Sequence, residues 1–341
     1  MLIVAGFAAL WGGAADAHAA TASQSGLSGF SAVGSMPGFS AFNPGFMGPK
    51  TPFDKKASDA AAGCGNAHVQ GKSIVEYMFS GGVLRSYRIY VPPSYNPSTP
   101  APLVLGFHGF GANAIEQEYY TNFKPQADLH GFVLVSPNAV GTPPHWNYYG
   151  KLAPAMPDDY AFVNDLIDHL QGELCIDAAR IYTTGMSDGG TMAAIIGCKL
   201  NNRIAAVAPV AGSPYLDAGC LLSGPVPLIT FHGTADTLWP FDGGIGYMGL
   251  PVTPTETDVL DWAKHNKCDL NQQSQVIATD VTLETYTGCS GNADVELYVI
   301  DGGGHTFPGA PIDFTNFGST THSIDAAALS WAFFAAHPKA P

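Results

Sequence analysis

RIYTTGMSDGG, residues 180–190, joins an apolar strand-like run to a segment that reads as a helix. Arg180–Thr184 is rich in β-branched and aromatic side chains, and Gly189–Leu200 continues as helix. Between them, Gly185-Met186-Ser187-Asp188-Gly189 fits G-x-S-x-G. In that setting the pattern marks a sharp strand-to-helix turn that exposes a serine hydroxyl as a nucleophile. The flanking glycines let the two backbones cross without a Cβ clash. The helix N-terminus supplies amide donors and positive potential where an oxyanion would form.

Working outward, the same alternation recurs. Leu103–Phe107, Phe132–Ser136, Ala205–Val210, Pro227–His232 and Val295–Ile300 are nearly continuous apolar runs, which suits strands buried on both faces. Tyr87–Val91 alternates like a half-exposed strand. Asp158–Leu174 carries Val163, Leu166, Ile167 and Leu170 on one helical face. Asp158 and Asp159 open that helix, where capping is their simplest role. Ser323–Ala336 reads as a final helix capped by Ser323. Strand–helix alternation over this length predicts an α/β fold: a mostly parallel sheet with helices on both faces, in one catalytic domain over residues 63–341.

A serine nucleophile needs a base, and on this kind of sheet the order is serine, acid, histidine. Four histidines follow Ser187 and a suitable acid: His265, His305, His322 and His337. His305 follows the strand Val295–Ile300 across Gly302-Gly303-Gly304, a loop beyond a strand's C-terminal end, where ligands meet open α/β sheets. His305 is therefore the expected base. Asp236, on the loop after Pro227–His232, is the expected acid, with Asp242 as the alternative. The acid holds the imidazole tautomer and stabilises the imidazolium. His108-Gly109-Phe110-Gly111 follows Leu103–Phe107, and the amides of Phe110 and Asp188 are the expected oxyanion donors. Trp146 and Trp239 are the expected substrate-binding aromatics. No metal-ligand spacing is visible, so neither a metal nor a cofactor is expected.

Composition narrows the class. The chain has 341 residues, 46% of them hydrophobic and only 12% charged, with a net charge of −14. Few cations on an acidic chain argue against nucleic-acid partners and against anionic membrane surfaces. Residues 1–19, with an apolar run closed by Ala17-His18-Ala19, read as a signal peptide. Residues 20–62, rich in Gly, Ser, Pro and Phe, read as a linker or pro-segment. Six cysteines in a secreted chain imply up to three disulfides, and Cys268–Cys289 is the best pair by proximity in sequence.

The stretches FHGFG (107–111), WNYYG (146–150), PDDYAFV (157–163), GMSDGG (185–190), AAVAPVAG (205–212), HGTADTLWPFDGG (232–244), GGGHTFPG (302–309) and SIDAAALSWAFFAAHP (323–338) resemble carbohydrate esterase family one. Within the α/β-hydrolases this is the feruloyl esterase and polyhydroxybutyrate depolymerase-like group. The resemblance runs from Cys64 to the C-terminus. It implies a secreted, monomeric serine esterase acting on a plant cell-wall polysaccharide ester or a polyester. A feruloyl esterase is the leading reading, with a polyhydroxyalkanoate depolymerase or acetyl xylan esterase as enzyme alternatives. A carbohydrate-binding surface protein on a decayed hydrolase fold is the non-enzymatic alternative. Some feruloyl esterases and tannases join a cysteine beside the nucleophile to one beside the histidine. Met186 and Thr306 stand at those places here, which weakens a tannase reading.

Overall fold

The strand runs form a ten-stranded sheet in the order β1-β2-β4-β3-β5-β6-β7-β10-β9-β8. The strands are β1 (Ser73–Ser80), β2 (Val83–Tyr90), β3 (Ala101–Phe107), β4 (Val133–Pro137), β5 (Ile176–Met186), β6 (Ala206–Val210), β7 (Leu228–Gly233), β8 (Gln273–Ala278), β9 (Val281–Tyr286) and β10 (Val295–Ile300). The structure is a computed structural model and describes residues 62–148, 155–216, 220 and 224–339. The expected signal peptide and all but the last residue of the expected linker lie outside the described residues.

Strands β4, β3, β5, β6, β7 and β10 run parallel. Antiparallel strands close both edges: β2 and β1 beside β4, β9 and β8 beside β10. Every residue of β3, β4, β6 and β7 is buried, as continuous apolar runs require when both faces are covered. Side-chain alternation divides each strand between two cores. Leu103, Leu105, Val133, Val135, Val207 and Leu228 face one core, while Val104, Leu134, Ala206, Ala208 and Ile229 face the other.

The first core is covered by α3 (Asp159–Glu173), α4 (Asp188–Lys199) and α5 (Thr255–His265). The second is covered by α2 (Phe123–His130) and α6 (Ala326–Ala336). A short helix, α1 (Ala114–Tyr120), follows β3 and is capped by the Asn113 side chain. The register pairs Phe107 with Gly185, Met186 with Val210, Val210 with Phe231 and Gly233 with Ile300. The loops after β3, β5, β6, β7 and β10 therefore leave one edge of the sheet together.

Three expectations change. The strand β1 is absent from the sequence reading, although Gly81 and Gly82, at φ 57° and 79°, make the tight hairpin turn to β2. The last helix starts at Ala326, and its cap is Asp325 rather than Ser323. The Asp325 carboxylate accepts the Ala327 and Ala328 amides at 2.9 and 3.0 Å. Asp158 does cap α3 through the Ala161 amide, but Asp159 turns inward. It forms a 2.6 Å ion pair with buried Arg85. Losing one partner of such a pair typically costs ~3–5 kcal/mol, because the other charge stays buried.

Cys268–Cys289 forms as expected, together with Cys64–Cys175 and Cys198–Cys220. Cys64–Cys175 spans 111 residues and the others 22 and 21. Loop-closure entropy then assigns about 5 kcal/mol to the long link and about 3 kcal/mol to each short one. A Cys64→Ser/Cys175→Ser double variant should therefore lose about 1–2 kcal/mol more than Cys268→Ser/Cys289→Ser in urea unfolding. Equal losses, or a larger one at Cys268–Cys289, would contradict the entropic assignment.

Candidate active site

Ser187 sits between β5 and α4 with φ 59° and ψ −123°. A non-glycine residue in this region stores about 1–3 kcal/mol of strain, held by its surroundings. The Ser187 amide donates to the Val210 carbonyl at 2.8 Å, and its carbonyl accepts the Thr191 amide at 3.0 Å. Glycines make the turn possible. A Cβ on Gly189 would stand 2.1 Å from the Phe107 carbonyl oxygen, and one on Gly212 would stand 2.4 Å from the Ser187 carbonyl oxygen. A Cβ on Gly185 would stand 2.3 Å from the Gly189 carbonyl oxygen.

On the same sheet edge, His305 Nδ1 lies 2.7 Å from Asp236 Oδ2. Both side chains are buried. The two loops lock together: the Ala235 amide donates to the Gly303 carbonyl at 2.9 Å, and the Gly302 amide donates to Thr234 Oγ1 at 2.8 Å. Asp236 Oδ1 accepts the Leu238 and Trp239 amides, each at 2.8 Å. Burial pushes the Asp236 carboxyl up. The hydrogen bonds and charges of His232 and His305 outweigh it and hold the carboxyl well below the usual range. The alternative acid, Asp242, is exposed. His322 is exposed and pairs with Asp313, His265 faces the Gly224 carbonyl, and His337 faces the Phe333 carbonyl. Of the four candidate histidines, only His305 meets Asp236.

The loop after β3 lies against the serine: a Cβ on Gly109 would stand 3.5 Å from Ser187 Cβ. Among the described residues, neither the Phe110 nor the Asp188 amide donates to a protein acceptor. His108 pins this loop. Its Nε2 accepts the Ala139 amide at 3.0 Å, so its Nδ1 carries the proton, 2.8 Å from the Gly109 carbonyl. Burial pushes the imidazole down to about 4, with Arg85 adding to the shift and the Gly109 hydrogen bond opposing it.

Trp146 requires a correction. Expected to meet substrate, it is 2% exposed and has no free face. Its indole N–H donates to the His108 carbonyl at 2.8 Å, and its ring stands edge-on to Phe107. Trp146 thereby supports the loop after β3. Trp239 is half-buried, and its backbone amide holds the acid. The ring of Phe110 instead meets His145 and Tyr247, at 5.7 and 5.8 Å between centroids.

Two features escape the sequence reading. The Asp188 side chain clamps the segment after the small hairpin at Val140–His145: Oδ2 accepts the Trp146 amide at 3.0 Å and Oδ1 accepts the Tyr148 hydroxyl at 2.5 Å. Burial raises the Asp188 carboxyl, and these two bonds oppose the rise. The second feature is His232, which touches Asp236 from the side opposite His305 at 3.3 Å. Its signal was the i, i+4 spacing of His232 and Asp236 at a strand end.

Known proteins similar to this chain are esterases. The family model described as Esterase PHB depolymerase matches residues 85–226. Feruloyl esterase B of Piromyces equi is 29% identical over 231 residues, covering 65% of this chain and 42% of its own length. The chain thus spans less than half of that relative. Feruloyl esterase C of Emericella nidulans is 28% identical over 237 residues, covering 67% of this chain and 78% of its own. The solved acetyl xylan esterase from Aspergillus awamori superposes with a TM-score of 0.56 at 14% identity, covering 77% of this chain and 99% of its own. That likeness shows the α/β-hydrolase fold.

His108 has a measurable consequence. Above its unfolded value of ~6.5, both states hold neutral imidazole. As pH falls from ~6.5 to about 4, only the unfolded state takes the proton, so stability is lost across that window. The loss should be about 3 kcal/mol. The stability gap between wild type and His108→Gln, measured by urea unfolding at pH 7.5 and pH 4, should shrink by that amount. A gap independent of pH would contradict the buried neutral assignment.

Proposed function

We propose that the chain, which an Esterase PHB depolymerase model matches over residues 85–226 and which is similar to feruloyl esterases, is a serine carboxylic-ester hydrolase acting on hydroxycinnamoyl esters of plant cell-wall polysaccharide. The observation that carries the catalytic reading is the 2.7 Å contact between His305 Nδ1 and Asp236 Oδ2, at the sheet edge that also bears Ser187 on its strained turn. The substrate reading draws on the relatives named as feruloyl esterases.

In this scheme the Ser187 hydroxyl attacks the ester carbonyl while His305 Nε2 takes its proton. Asp236 accepts the hydrogen bond of Nδ1–H, stays ionised and stabilises the imidazolium. The Phe110 and Asp188 amides receive the oxyanion. Collapse of the tetrahedral intermediate expels the alcohol, which takes the proton from His305 and leaves an acyl group on Ser187. Water, deprotonated by His305, then releases the acid and restores the serine. Each group enters and leaves the cycle unchanged, so no cofactor is consumed.

The enzyme works outside the cell in this reading, with residues 1–19 as secretion signal, residues 20–62 as linker and residues 63–341 as catalytic domain. Three disulfides support an oxidising compartment. A second reading, polyester depolymerisation, is favoured by the family model over residues 85–226. A non-catalytic binding protein is disfavoured, since the serine, histidine and acid are all present with their supporting contacts.

Ser187→Ala and His305→Ala should abolish ester hydrolysis with unchanged circular dichroism, and His322→Ala should not. Asp236→Asn should lower kcat by about 10⁴-fold through the wrong imidazole tautomer. Activity surviving in His305→Ala but lost in His322→Ala would overturn the assignment. On a panel of methyl ferulate, acetylated xylan and polyhydroxybutyrate, the highest kcat/KM should fall on methyl ferulate. Release of hydroxybutyrate alone would transfer the enzyme to the second reading.

A further inference from the structure

His232 is the penultimate residue of β7 and is 1% exposed. Its Nε2 lies 2.8 Å from the Trp239 carbonyl oxygen and 3.3 Å from Asp236 Oδ2, and its Nδ1 lies 3.2 Å from Thr255 Oγ1. For a neutral imidazole, one proton arrangement satisfies all three. Nε2 carries a hydrogen shared between two oxygens that can only accept, and the Nδ1 lone pair accepts the Thr255 hydroxyl. Thr255 opens α5, and its own amide donates to the Phe241 carbonyl at 2.8 Å. The Phe241 ring stands edge-on to the His232 ring.

We propose that His232 is a positioning residue for the acid: it ties Asp236 to the rigid strand β7 and so fixes the carboxylate plane that orients His305. The proposal rests on the reading of Asp236 and His305 as acid and base. A carboxylate has about four lone-pair sites. Here they meet the Leu238 and Trp239 amides, His305 and His232. These bonds close a ring. The Trp239 amide holds Oδ1, the Trp239 carbonyl holds His232, and His232 holds Oδ2. Asp236 lies on a loop, whereas His232 lies on a strand paired on both sides, to β6 and β10. Without His232, the Trp239 carbonyl loses this donor and Oδ2 keeps one bond, so the carboxylate can turn about its Cβ–Cγ bond. A small rotation there swings the imidazole away from Ser187.

The test compares His232→Ala, His232→Gln and Thr255→Val, with rates normalised to titrated active sites. Two readouts separate positioning from mere stability: the kcat-against-KM split on a soluble ester, and the downfield proton resonance of the His305–Asp236 bond. His232→Ala should lower kcat by about 10²-fold, leave KM within about twofold, and shift or broaden the downfield resonance. His232→Gln, whose amide can donate to the same oxygens, should regain most of both. Thr255→Val, which removes only the outer hydroxyl, should lower kcat by a few-fold and keeps the test open if His232→Ala does not fold. A wild-type kcat and resonance in His232→Ala, or a His232→Gln no better than His232→Ala, would overturn the proposal. Unchanged kcat and resonance in Thr255→Val would do so where alanine does not fold. If His305→Ala is itself active, the acid–base reading fails first; if it is dead and His232→Ala is not, only the role of His232 fails.

Discussion

The crossing of β5 and α4 against the end of β3 is the constraint on which the rest depends. At Gly189 the helix passes so close to the Phe107 carbonyl that even a methyl group has no room. Gly185 and Gly212 meet the same limit from the strand and from the loop after β6. This crowding holds Ser187 at φ 59°, a conformation that a serine in a free turn would leave. The strain is held by a sheet covered on both faces, whose strands β3, β4, β6 and β7 are buried along their whole length. A turn of this kind on a half-exposed sheet would relax, and the hydroxyl would drop into an ordinary helix cap.

Around that turn, three buried carboxylates are each answered by donors. Asp236 meets four donors, Asp188 two, and Asp159 meets Arg85 and the Asn147 amide. Consecutive amides are used for this: the Trp146 amide goes to Asp188 and the Asn147 amide goes to Asp159. The segment that carries Trp146 and Asn147 is thereby fixed to the residue after Ser187 and to α3. Buried carboxylates without such partners would be costly to keep charged. With them, they lock three loops at one sheet edge, which is the geometric requirement for a serine, a base and an anion site to act together.

Much of this was legible in the sequence, because apolar runs bracket the chemistry. Ser187, Asp236 and His305 each follow a strand by a few residues, and the parallel sheet delivers all three to one edge. Burial was less legible. Trp146 stands in a loop, and nothing in its neighbours signals that the indole points inward to His108. Asp158 and Asp159 share a helix start, yet one caps and the other crosses to Arg85, a partner 74 residues earlier in a strand. His232 was hidden because a histidine inside an apolar strand reads as core until its Nε2 is seen on Asp236. The edge strand β1 exposes alternate residues and β8 is exposed along almost its whole length; these two and β9 lack the continuous apolar runs of the central strands, so the signal that found the others was missing.

The central claim is that Ser187, activated by His305, is the nucleophile. It is tested most directly by treating the protein with a fluorophosphonate and locating the adduct by peptide mass spectrometry. One adduct, on Ser187, is predicted, with labelling slowed by orders of magnitude when His305 is replaced by alanine. An adduct on another residue, or an active enzyme that takes no label, would contradict the account.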